Sequence, residues 1–142
     1  MKRRLGAAAL VAAIVTSGGV SAAWALVGGG TAPATFAVQL DGETVVTATG
    51  YELGAGLSSG DKREYTLRLS LQLTDNPAPA QAFQSGQTFV SASVSLLAGD
   101  LSVLKTYRLA NATVVAYRQS GDAASNDFVQ ELVLRSRSLS IG

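Results

Sequence analysis

The clearest pattern in the sequence is a strict alternation of apolar and polar residues between positions 65 and 73. Five apolar residues, one tyrosine and four leucines, alternate there with threonine, arginine, serine and glutamine. In a β-strand this spacing places all five apolar side chains on one face, whereas a helix would spread them around its axis. The pattern therefore predicts a strand with one buried face and one solvated face.

The C-terminal quarter predicts a long pair of strands. Residues 107–117 and 128–141 are rich in β-branched, aromatic and leucine residues, and residues 118–127 between them contain many turn formers. We interpret this region as a β-hairpin with a mobile tip, which needs further strands behind it because an isolated hairpin is marginal in water. The apolar positions change register along residues 128–141. That change predicts either a bulge or a strand covered on both faces, the second face by a neighbouring subunit.

The upstream segments predict the partner strands. Residues 36–40 and 43–53 form a predicted first hairpin, because Asp41-Gly42 between them favours a tight turn and Gly50 favours a bulge. The composition of residues 54–61 predicts a loop. Further strands are predicted at residues 88–97 and 101–107, on either side of a turn at residues 98–100.

A short helix is predicted at residues 79–84. Asn76 and Pro77 favour a helix start, a second proline close behind keeps the helix short, and Gly86 ends it. We expect Phe83 to pack this connection against an open end of the sheets. Six or seven strands and one short helix together predict an all-β fold, either a two-sheet β-sandwich or a partly closed β-barrel.

The first 25 residues have the organisation of a signal peptide. Three basic residues at positions 2–4 precede an apolar run at residues 5–15, and Ala23-Trp24-Ala25 offers the small-x-small pattern of a cleavage site. We predict cleavage after Ala25, a flexible lead-in at residues 26–34, and a secreted β domain at residues 35–142. An uncleaved membrane anchor is the alternative, because residues 5–27 carry no charge and bilayer crossing takes roughly 20 residues.

Cleavage would change the charge of the protein. Three of the 11 basic residues and none of the 10 acidic residues precede the cleavage site, so the mature chain carries 8 basic and 10 acidic residues. Without a basic patch, we expect no nucleic-acid partner and no membrane association after cleavage.

The composition argues against catalysis. The chain has no cysteine and no histidine, so it lacks disulfides, the commonest transition-metal ligands and the usual general base near neutral pH. Asp122 and Asp127 bracket a loop without the oxygen-rich spacing of a calcium site. The sequence therefore predicts that the protein is not an enzyme, with no catalytic, cofactor-binding or metal-binding residue.

Four arginines are concentrated in the C-terminal hairpin: Arg108, Arg118, Arg135 and Arg137. Two interpretations are open. The side chains could line a pore or meet carboxylates of a partner, or they could keep exposed strands soluble and discourage uncontrolled edge pairing.

The order of these elements resembles the haemolysin-coregulated protein (Hcp) family, the tube proteins of type VI secretion, which are related to phage tail tubes. The resemblance covers residues 36–141 and is carried by TDNPAPAQAFQSGQTF (residues 74–89), YRLANATVVAYRQSG (residues 107–121) and FVQELVLRSRSLSI (residues 128–141). It implies a two-sheet barrel with a small helix at its side. It also implies rings of six subunits that stack into a tube, with the 107–117 strand or the final strand pairing across subunits through main-chain hydrogen bonds.

The chain departs from this family in two respects. Family members are assembled in the cytoplasm and leave through their own apparatus, whereas this chain begins with a predicted signal peptide. The long loop that helps rings to stack is reduced to residues 54–64. We therefore expect an exported structural protein that self-associates into rings through edge strands. The alternative is a monomeric secreted β-sandwich that binds a cell-surface partner or a glycan through its loops.

Overall fold

Eight antiparallel strands and one short helix make up the part of the chain that the structure describes. The structure is a computed structural model that describes residues 30–142. The predicted signal peptide and the first residues of the lead-in lie outside the described residues. Residues 30–32 have no regular secondary structure, and Pro33–Gly142 form one compact unit. The elements are β1 (Thr35–Leu40), β2 (Glu43–Thr44), β3 (Ala48–Ser58), β4 (Lys62–Gln72), α1 (Ala78–Gln84), β5 (Thr88–Leu97), β6 (Val103–Asp122), β7 (Asp127–Ser136) and β8 (Leu139–Ile141).

The long strand β6 joins two layers. The strand order is β2-β1-β5-β6-β7-β4-β3, with β8 also paired to β6. β5 pairs with the first half of β6 up to Thr113, and β7 pairs with β6 from Thr113 onwards. We call β2, β1, β5, β8 and the first half of β6 layer A, and the second half of β6 with β7, β4 and β3 layer B. The ends of the order, β2 and β3, are not paired with each other, so the sheet is not closed.

Two local irregularities let β6 change layers. Asn111 has a φ of 53°, a left-handed conformation that asparagine adopts more readily than most residues. The register with β7 then shifts between Val114 and Ala116, and such a β-bulge bends and twists its strand. The buried hydroxyl of Ser136 donates a hydrogen bond to the carbonyl of Ala110. This bond fixes the end of β7 beside the bend.

The two layers enclose one apolar core. The predicted alternation in β4 buries its leucines at positions 67, 69 and 71, which pack in the same cluster as Val38 and Val94 of layer A. Phe36 of β1 and Tyr51 of β3 meet edge to face, with ring centroids 5.0 Å apart. The two ends of the strand order therefore approach each other across the core.

Several predictions from the sequence are confirmed. The fold is all-β and sandwich-like with one short helix, and β5 has the predicted bounds. Asp41 and Gly42 take φ values of 51° and 83°, the positive values that a tight hairpin turn requires at both central positions. The helix begins one residue earlier than predicted, and Gly86, with a φ of 62°, follows its end.

Three predictions about hairpins are wrong. The first hairpin contains only two residue pairs between β1 and β2, and β3 instead pairs with β4 over its whole length. The predicted loop at residues 54–61 is strand up to Ser58, and the turn is reduced to residues 59–61. The predicted mobile tip at residues 118–127 is strand up to Asp122, which leaves a turn at residues 123–126. Pairing with a neighbouring strand extends β-structure into segments rich in turn formers.

Two side-chain predictions also need correction. Phe83 does not close the end of the sheets: its side chain is 44% exposed, and Ala82 is the buried residue of α1. The register change in the last predicted strand is a break, since β7 ends at Ser136 and β8 begins at Leu139.

We expect Leu69→Ala to lower the free energy of unfolding by about 2–5 kcal/mol, because the side chain is fully buried and its truncation leaves a cavity. Chemical denaturation followed by circular dichroism measures this loss. The matched control is Leu101→Ala in the β5–β6 turn, where the leucine is 66% exposed and truncation should cost less than about 0.5 kcal/mol. Equal losses for the two variants would contradict the described core.

The bend in β6 generates a second prediction. Asn111→Ala should cost about 1 kcal/mol, because alanine tolerates the left-handed conformation poorly, whereas Asn111→Gly should retain most of the stability. The same denaturation experiment compares the two variants. An alanine variant as stable as the glycine variant would show that residue 111 does not need a positive φ.

Candidate assembly edges

Layer B ends in two strands with an unpaired edge. β4 lies between β3 and β7, and β7 lies between β4 and β6, so both inner strands are paired on both sides. In the described part of the chain, β3 pairs with β4 alone, and residues 115–122 of β6 pair with β7 alone. The free main-chain groups of these two segments face away from each other, at opposite sides of layer B.

The edge of β3 is long and carries few features that would block pairing. Natural edge strands are commonly short or carry lysine or proline, whereas β3 has 11 residues, neither of those residue types, and Glu52 as its one charge. A Cβ atom built on Gly54 or Gly56 would meet no heavy atom within 4 Å. Apart from the bulge near Gly50, the main chain of β3 is open to an incoming strand.

The opposite edge is held in place from the core side. The Tyr117 hydroxyl donates to Gln130 Oε1 at 3.0 Å, and Gln119 Nε2 donates to the Tyr117 oxygen at 3.1 Å. Gln130 is buried, and its Nε2 donates to the carbonyl of Gln72 at 3.2 Å. This network links β6, β7 and β4, so side-chain hydrogen bonds fix the free edge of β6 against the rest of layer B.

Four charged side chains form a row across the face of layer B that points away from the core. Arg68 Nε lies 3.6 Å from Glu52 Oε1, and Arg68 Nη1 lies 3.6 Å from Glu131 Oε1. Arg118 Nη2 lies 3.5 Å from the same oxygen of Glu131. This charge row runs Glu52, Arg68, Glu131, Arg118 and takes one residue from each strand of the layer, so the sign of the charge alternates from edge to edge.

The structure separates the four arginines that the sequence placed together. Arg118 belongs to the charge row, and Arg135 Nε pairs with Glu64 Oε1 at 3.6 Å. Arg137 donates to Ser58 Oγ at 3.2 Å, while Arg108 lies in layer A opposite Ser93. These arginines therefore do not converge on one site. The carboxylate partners of Arg118 and Arg135 lie on other strands, so the strand order was needed to find them.

The other candidate groups have turn functions. Asp122 and Asp127 form the last residue pair of their hairpin, and the Asp122 carboxylate accepts the N–H of Ala124 at 3.0 Å. The pKa of the Asp100 carboxyl is lowered because the hydroxyl and the backbone N–H of Ser102 donate hydrogen bonds to it.

Within residues 30–142, no three His, Cys, Asp or Glu side chains lie close enough to hold a metal ion. No helix in that range is long and apolar enough to cross a membrane.

The amino-acid sequence matches no protein-family model and no curated protein sequence. Solved structures match over most of their length. Hcp1 from Flavobacterium johnsoniae is 16% identical, with a TM-score of 0.57 over 75% of this chain and 94% of that chain. A chain of the sheath–tube complex of the PVC extracellular contractile injection system is 16% identical, with a TM-score of 0.60 over 90% and 99%. The tube-terminating cap of the anti-feeding prophage is 18% identical, with a TM-score of 0.60 over 79% and 91%.

The chain has the fold of the Hcp and contractile-injection tube proteins. The resemblance predicted from the sequence is thereby confirmed at the level of the fold. Because the identities are low, these matches establish the fold of this chain and not its function.

Within this tube-protein fold, the free edges of the described residues coincide in part with those expected from the sequence. Residues 115–117 of the expected 107–117 strand have a partner on one side only, and so does β8 at the end of the expected final strand. Residues 107–109 are paired with β5 on one side and with β8 on the other. β7, which is most of the predicted final strand, lies between β6 and β4. The open edges of layer B are β3, half of which was predicted as a loop, and residues 115–122, which include the end of the predicted 107–117 strand and part of the predicted hairpin tip.

Proposed function

We propose that this chain is an exported structural subunit that associates edge to edge with copies of itself into a ring. The observation that carries the proposal is the pair of free edges on opposite sides of layer B. The four strands of this layer alternate in direction, so β3 and the second half of β6 are antiparallel. Copies placed side by side in one orientation therefore meet as an antiparallel pair.

Such a contact joins the β3 edge of one copy to the β6 edge of the next copy. Each pair of copies therefore keeps one free β3 edge and one free β6 edge. Repetition of a contact of this kind gives a closed ring when the rotation closes, and a filament when it does not. The solved structures with the same fold include a chain of a sheath–tube complex and a tube-terminating cap. They support a role in a tube-like assembly, for which the resemblance implies six subunits per ring.

We propose that the chain forms single rings and not a stacked tube. The segment in the place of the stacking loop is the β3–β4 hairpin, which is paired from Gly54 to Ser58 and turns within residues 59–61. The assembly that we propose uses main-chain groups and needs no catalytic residue, cofactor or metal. Its partners are copies of the same chain.

We expect the protein, expressed as the full chain and purified after export, to have a mass of several subunits by light scattering and to show rings in negative stain. Gly54→Lys with Gly56→Lys should give monomers, because two lysines on the edge strand disfavour pairing while the monomer has room for them.

The matched control is Gly99→Lys in the β5–β6 turn, where a Cβ atom also meets nothing within 4 Å. This variant should assemble like the unaltered protein. If the unaltered protein is monomeric at all concentrations tried, the ring proposal is wrong. That result would favour the alternative of a monomeric secreted binding module for a cell-surface partner or a glycan.

We further propose that the N-terminal segment is a signal peptide cleaved after Ala25, so that the exported protein begins at Leu26. Intact mass spectrometry of the exported protein measures this. Ala25→Phe should block processing because the residue before the cleavage site must be small. Ala22→Phe, one position outside the small-x-small triplet, should be processed normally. Retention of all 142 residues in the unaltered protein would favour the membrane anchor.

A further inference from the structure

We propose that the charge row of layer B continues from one copy into the next, with Glu52 of one copy paired to Arg118 of its neighbour. This inference rests on the proposed edge-to-edge assembly. It goes further by assigning the residues that set the orientation and the register of the junction. The partner is a second copy of this chain.

The first argument is the sign of the charge at each end of the row. The row begins with a carboxylate on β3 and ends with a guanidinium on β6, and the side chains of Glu52 and Arg118 are 80% and 76% exposed. Each end residue has its ion-pair partner on the inner side, in Arg68 and Glu131. The outer side of each end residue faces the position that an added strand would occupy.

The same charges disfavour the competing contacts. A two-fold dimer through β3 would bring two copies of Glu52 close together, and a two-fold dimer through β6 would do the same with Arg118. Opposite charges on neighbouring strands stabilise a sheet, and like charges destabilise it. Of the three possible contacts between the free edges of layer B, the charge row therefore favours the one between β3 and β6, which is the contact that can propagate into a ring.

The second argument is the length of the two edges. In an antiparallel pair with Glu52 opposite Arg118, residues 48–55 of β3 align with residues 115–122 of β6. This alignment uses all of β6 that has no second partner, from just after the last pair with β5 to the end of the strand. Because β3 has 11 residues, its length accommodates the register that the charges select.

The residues around the charged pair fit this register. On the outer face, Gly54 would lie opposite Ala116 and Gly50 opposite Ser120, so small side chains flank the ion pair and leave room for the arginine. On the core face, Leu53 would lie opposite Tyr117. The junction would thus have an apolar contact on the core face and an ion pair on the outer face, as layer B itself has.

The first test reverses the sign of the whole row with Glu52→Arg, Arg68→Glu, Glu131→Arg and Arg118→Glu. Every pair inside one copy is then kept with its signs exchanged, so the reversed protein should assemble with itself. Mixed with unaltered protein, it should form at least tenfold fewer mixed rings than random mixing gives, because every mixed junction opposes like charges. Native mass spectrometry of the two mass-labelled proteins counts the mixed rings.

A second test uses the absence of cysteine from the chain. Gly54→Cys with Ala116→Cys should cross-link neighbouring copies into covalent ladders on oxidation. The two positions cannot join within one copy, because three strand spacings separate them by about 14 Å, well beyond the roughly 7 Å limit between Cα atoms. The control pair is Gly54→Cys with Ser120→Cys, which is four residues out of register and should cross-link at least tenfold less.

The outcomes separate the two proposals. Free mixing of the reversed and unaltered proteins, or stronger cross-linking of the out-of-register cysteine pair, would overturn the Glu52–Arg118 junction while ring assembly stands. An unaltered protein that never assembles would overturn the ring and this junction with it. Separate assembly of the two charge types together with in-register cross-linking would establish both.

Discussion

The fold depends on one strand, β6, which forms hydrogen bonds with strands of both layers. Its first half completes layer A and its second half completes layer B, and the passage between them requires the left-handed Asn111 and the bulge after Val114. The same bend separates β6 from β5, which leaves the later residues without a partner on that side. One backbone feature therefore closes the apolar core and creates an open edge.

The two faces of layer B are stabilised by different interactions. Leucines of β4 and β7 fill the core side, with Gln130 as a buried polar residue that has a partner for both its oxygen and its nitrogen. On the outer side, ion pairs link each strand to the next. Exposed ion pairs contribute little to folding, so stability depends mainly on the core.

Local patterns in the sequence predicted the elements that depend on local rules. The alternation in β4 and the Asp41-Gly42 turn are examples, because side-chain period and turn conformation are encoded by adjacent residues. The second half of β3 was missed because its glycines have low strand propensity, and pairing with β4 supplies what propensity does not. The charge row was not found because Glu52, Arg68, Arg118 and Glu131 become neighbours only through the strand order, which no short stretch of sequence contains.

The long free edge of β3 also bears on a subunit of the proposed assembly before it has joined its neighbours. An exposed strand of this length can pair with strands of many different sequences, since main-chain hydrogen-bonding groups are common to all proteins. Until the proposed assembly forms, the edge of β3 is therefore open to pairing with other exposed strands. Charges at the ends of layer B act during such an encounter, before hydrogen bonds form. In the proposed assembly these charges speed the encounter with the neighbouring copy, so that rapid association shortens the time for which the edge of β3 is exposed.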